Sequence, residues 1–138
     1  MHALIVPELT DWPEWSNDER QQFAPLEQRW TDRAKFPITV QRLLEGWARF
    51  TVSVESGVAD GSVIEDYWND LDTRLLLQEA LDSLPSDTSH RLEEAIRPLD
   101  SRFRDATLEE QPARWRGGWW ASRIPKNPTP AFARELHH

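Results

Sequence analysis

The sequence predicts an all-α protein, a three- to four-helix bundle with extended, tryptophan-rich N- and C-terminal segments packed on it. Three observations carry this expectation. Apolar residues recur along three stretches at about 100° per residue, the spacing of a helix face turned toward a core. Hydroxyl–carboxylate pairs of the helix-starting kind precede two of the predicted helices, and glycine or proline follows the stripes. Eight tryptophans and five phenylalanines supply large buried areas, which offsets an apolar fraction of only 38%.

The opening MHALIVPELTDWPEW has no helical period and reads as extended backbone, anchored by Trp12 and Trp15. Ser16 and Glu19 form a capping-box pattern, so a short helix starts near Asn17, with Pro25 interrupting it or beginning a second segment toward Ala34. Val40, Leu43, Leu44, Trp47, Phe50, Thr51 and Val54 share one arc and predict a helix near 39–55, closed by Gly57 in a left-handed conformation. Ser62 and Glu65 form a second capping box ahead of a helix near 63–84. Its apolar face changes side, Ile64, Tyr67, Trp68, Leu71 and Leu75 first, then Leu77, Ala80, Leu81 and Leu84, which suits a central position. Leu92, Ala95, Ile96, Leu99, Phe103 and Ala106 give a third stripe near 88–106, preceded by the capping-type run Ser86–Ser89. Pro98 projects on its polar side, so a kinked helix fits better than two. Beyond Gln111-Pro112 no helix fits before Ala131–Leu136. The 138 residues fit one domain, divided into an extended segment at 1–15, a helical body at 16–106 and a basic, Trp/Pro-rich segment at 107–138.

Charge is unevenly placed. Residues 1–113 hold 23 acidic and 11 basic side chains, or −12; residues 114–138 hold one acidic and five basic, or +4, which together give the −8 of the chain. A body of −12 disfavours phosphate backbones and steers basic partners toward itself. The absence of cysteine rules out disulfides and thiolate metal sites. The longest apolar run, Ala3–Val6, falls short of a membrane span, so the expectation is a cytoplasmic protein with no membrane partner.

The stretch RWRGGWWASRIPKNP sets Arg114, Trp115, Arg116, Trp119, Trp120, Arg123 and Lys126 close together. Tryptophan and arginine together stack on bases and neutralise phosphates, or dominate a protein interface. The alternative is internal: the indoles cap the core, a turn forms at Gly117-Gly118, and the arginines pair with the acidic body. Ile124–Pro130, with three prolines, fits a strap over the surface or an exposed ligand for a partner groove.

Glu65, Asp66, Asp70 and Asp72 gather carboxylates on the long helix, Asp66 and Asp70 at the four-residue spacing that offers two to a hard cation. Glu79 and Asp82 are similar to half of the Glu-x-x-Glu plus Glu-x-x-Asp pattern of all-helical nucleotide pyrophosphatases; no Glu-x-x-Glu lies upstream. A solvated helix face is the ordinary use of such charges. His90 reads as capping or packing, and no nucleophile elbow, phosphate loop or zinc motif is present. The sequence thus points to a non-enzymatic protein-binding module of the inhibitor, immunity-type or adaptor kind, whose acidic surface meets a basic protein partner. The alternatives are nucleic-acid or anionic-ligand binding through the C-terminal segment, and a cation-dependent hydrolase using Glu65, Asp66, Asp70, Glu79 and Asp82. No cofactor is implied, and no pattern sets an oligomeric state.

Overall fold

Ser16 opens the first helix. Its Oγ accepts the N–H of Glu19 at 3.1 Å, and Glu19 Oε1 accepts the N–H of Ser16 at 2.8 Å, so two donors without helical partners satisfy each other's side chains. In this computed structural model, which describes residues 12–58, 64–109 and 118–136, helix α1 then runs unbroken through Asn17–Ala34. The expected interruption at Pro25 does not occur. Pro25 sits on the exposed side, where solvent can serve the carbonyl of Gln21 that loses its N–H partner. Ahead of α1, Trp15 lies edge-on to Phe23 with ring centroids 5.1 Å apart and donates from Nε1 to Gln41 Oε1 at 3.2 Å.

Helix α2, Val40–Glu55, is capped by Thr39, whose Oγ1 accepts the N–H of Arg42 at 3.1 Å. Every residue of its predicted stripe is buried. Helix α3, Ile64–Ser83, packs against α2, against α4 (Ser86–Asp105) and against the short α5 (Pro130–Leu136), the central place its changing apolar face called for. Ser62, the expected cap of α3, lies outside the described residues. The side chains of Ile64 and Trp68 lie outside the described ones; among the rest of that face Leu75 is corrected, being 49% exposed, and Arg74 is buried in the stripe instead. Helix α4 begins two residues before the predicted start, with Pro85 at the cap position and no capping side chain. It continues through Pro98, which is exposed, and buries Leu92, Ile96, Leu99 and Phe103.

The C-terminal segment adds strands the sequence did not suggest. Strand β1, Thr107–Glu109, pairs antiparallel with β2, Arg123–Pro125, placing Leu108 opposite Ile124. The proline-rich stretch after β2 is a strap. Lys126 donates its N–H to Ala106 O at 2.9 Å, Thr129 donates its N–H to Gly57 O at 2.8 Å, and Thr129 Oγ1 donates to Val58 O at 3.0 Å. Phe132 of α5 is then buried beside Tyr67, centroids 5.4 Å apart. One buried cluster runs from Phe23 in α1 to Phe132 in α5. Among the described residues no helix is long and apolar enough to cross a membrane.

Gly57 closes α2 as expected, at φ 82°, and Val58 follows at φ 71°, a rare conformation for a β-branched residue. A Cβ on Gly57 would lie 2.3 Å from Asn127 O and 2.9 Å from Thr129 N. Gly57→Ala is therefore expected to cost about 2 kcal/mol, from the left-handed backbone together with displacement of the strap. Urea unfolding measures it, and a loss below about 0.5 kcal/mol, the ordinary range of surface substitutions, would contradict the clamp.

Candidate functional site

The C-terminal candidates divide on placement. Trp120 is buried at 3% exposure, Trp119 is half-buried and Lys126 is exposed; Arg114, Trp115 and Arg116 lie outside the described residues. Gly118 makes the fold-back possible, because a Cβ there would fall 1.8 Å from the Trp120 ring. The described part of the segment docks on the body, and at Arg123 the charge contacts differ from the expectation. Among the described residues Arg123 pairs with no carboxylate: it donates to Thr107 Oγ1 at 2.8 Å and to the carbonyls of Arg104 and Thr107 at 3.2 and 3.1 Å. The body's own arginines instead cover the indoles, Arg74 over Trp120 at 4.6 Å and Arg104 over Trp119 at 3.9 Å.

Arg74 belongs to a buried network. Its Nε and Nη2 each donate to Asp100 at 2.9 Å, Nη1 donates to Gln78 at 3.1 Å, and Trp47 Nε1 donates to Asp100 at 3.0 Å. Arg74, Gln78 and Asp100 line a polar groove of about 620 Å³ between α3 and α4. Its charges largely answer one another, Arg97 pairing with Glu93 at 3.3 Å.

Among the described side chains the carboxylates of α3 form no cluster of three or more. Glu79 pairs with Arg29 of α1, Asp82 accepts from Gln78 at 3.0 Å, Asp70 and Asp72 are exposed, and the side chains of Glu65 and Asp66 lie outside the described residues. No group of three or more His, Asp or Glu side chains suited to a metal occurs among the described residues. His90 neither caps nor packs; it is exposed on α4, 3.9 Å from Glu94.

A different surface stands out, at the α1–α2 connection. Lys35 takes φ 68° and closes α1 by donating its N–H to Thr31 O. Ile38 then turns inward, its N–H held by Thr31 Oγ1 at 3.0 Å. Between these two fixed points Phe36 is left 60% exposed. Phe36, Pro37, Ile38, Leu43, Gly46 and Leu76 line a mainly apolar groove of about 320 Å³. A smaller recess of about 90 Å³ shares Ile38 and Leu76 with it and adds Trp30, Arg33 and Ala34. Leu75 does not line the groove, but it is exposed one helical turn from Asp72, which does. Trp30 is 1% exposed, and its Nε1 has no hydrogen-bond partner among the described residues. The sequence held a signal for this surface. Leu75, Leu76 and Leu77 span about 200° of helix arc, so one of them must leave a face turned to a single core.

No protein-family model matches the chain, and comparison with curated proteins and with solved structures finds no match.

Proposed function

We propose that the protein is a non-enzymatic protein-binding module, of the inhibitor, immunity-type or adaptor kind, which docks a partner on the groove beside Phe36 and Leu75. The observation that supports this reading is the exposed Phe36 in the lining of an open apolar groove, with a second exposed apolar side chain, Leu75, one turn from the groove's Asp72. Scattered exposed leucines are ordinary, but apolar side chains rimming a concave surface mark interaction sites. Covering Phe36 and Leu75 fully is worth about 1.5–3 kcal/mol each, which suits the central anchors of a standard interface. The acidic surface has a separate role, since a net charge of −8 speeds encounter with partners of positive net charge.

The test is a Phe36→Glu, Leu75→Glu double variant. Both side chains face solvent, so its melting temperature is expected to stay within about 2 °C of the parent. A partner captured by the parent chain from an extract of its source is expected to bind the double variant at least about tenfold more weakly. Equal binding by both would remove the groove from the interface.

A further inference from the structure

We infer that the segment seated in the groove is an acidic, apolar stretch of the partner protein, one or two bulky apolar side chains flanked by Asp or Glu. This rests on the docking role proposed above. Although the chain as a whole is acidic, two of the three charged side chains that line the groove and its smaller recess are cationic. Arg42 lines the groove and Arg33 the smaller recess, against the carboxylate of Asp72, and the exposed Lys35 precedes Phe36 in the chain. The described ion pairs engage Arg29, Arg74, Arg91, Arg97 and Arg102, and none of Arg33, Lys35 or Arg42. Arg42 makes one long contact, 3.5 Å from Nη1 to Pro37 O.

The hydrogen-bonding inventory leans the same way. Two guanidiniums and an ammonium carry donors and no acceptors, and the N–H of Trp30 beneath the smaller recess has no acceptor of its own. Asp72 and Thr73 are the only side chains lining either recess that can accept. A surface rich in donors that join no ion pair among the described residues, around an apolar floor, is complementary to a segment that brings acceptors on its flanks and apolar side chains at its centre. A groove of about 320 Å³ is at the small end of binding pockets, which suits a few side chains of a peptide.

The experiment is titration of the full ¹⁵N-labelled chain, followed by NMR, with the acetylated, amidated peptide Glu-Leu-Phe-Asp-Leu-Glu and with a twin carrying Lys at each acidic position. The acidic peptide is expected to shift the Trp30 indole N–H and the amides of Ile38, Leu43, Gly46 and Thr73, and to bind at least about tenfold more tightly than the twin. An Arg33→Ser, Arg42→Ser variant, changed only at exposed positions, is expected to remove that tenfold preference. If the lysine twin occupies the groove as well as the acidic peptide or better, the inference is wrong and the docking role stands. If neither peptide moves these signals, or the shifts fall elsewhere on the molecule, both are wrong.

Discussion

Arg74→Ala is expected to lower stability by about 3–5 kcal/mol, the usual consequence of removing one partner of a buried ion pair. Arg74 is 4% exposed, and its two contacts to Asp100, both 2.9 Å, are the bidentate geometry that makes such pairs strong. Without the guanidinium, the Asp100 carboxylate keeps the Trp47 indole N–H but no counter-charge, and Trp120 loses the cation over its ring. For a chain of this length the loss corresponds to a fall of roughly 10–20 °C in melting temperature, readable by calorimetry. The sharper measurement is the double variant Arg74→Met, Asp100→Leu. An apolar pair leaves no charge uncompensated, so it is expected to recover most of the lost stability. A single-variant loss below about 1 kcal/mol, or a double variant no better than the single, would show that the pair is not desolvated as described.

Trp120→Ala is expected to cost about 3–5 kcal/mol, the range for emptying a buried indole site, whereas Trp119→Ala, at a half-buried position, should cost about 1–2 kcal/mol. The difference in cost has a structural reading. Trp120 ties its segment to α3: Arg74 lies over its face, while within the segment Gly118 sits against its ring and Trp119 stands perpendicular to it at 6.0 Å. Its removal should loosen the strap that follows, so trypsin is expected to cut after Arg123 and Lys126 faster than in the parent chain. Because Arg74 and Trp120 touch, the losses from Arg74→Ala and Trp120→Ala should add to less than their sum in the double variant. Equal costs at positions 119 and 120, with unchanged proteolysis, would mean that the segment is held elsewhere.

The helices were legible where one face meets one core. In α2 all seven predicted stripe positions are buried, and in α4 the phase carried across Pro98 because the ring falls on the exposed side. Pro25 shows the limit of the same rule. A proline penalises a helix by one hydrogen bond and one carbonyl, and an exposed position softens that cost enough for α1 to continue. At Arg74 and Leu75 the failure is of another kind. Hydropathy ranks leucine inside and arginine outside, but Asp100 sits twenty-six residues away on a neighbouring helix, and only tertiary structure brings it to neutralise the guanidinium. The β1–β2 pair escaped notice because three-residue strands carry too few positions to show alternation. The groove was hidden for the reason that Arg74 was: Phe36 is one aromatic residue in a loop until α1, α2 and α3 assemble around it.

The contacts at the C-terminal segment bear on how the molecule responds to electrolyte. Had Arg123 gripped an exposed carboxylate, added salt would have weakened that contact, since mobile ions shield surface charges beyond about 8 Å at physiological ionic strength. The described contacts are instead a sheltered cation on an indole, an arginine on neutral oxygens, and buried rings. Attachment of this kind tolerates brine, and it leaves the exposed Lys126 and Arg134 free to be exchanged for residues of either sign without unseating the strap.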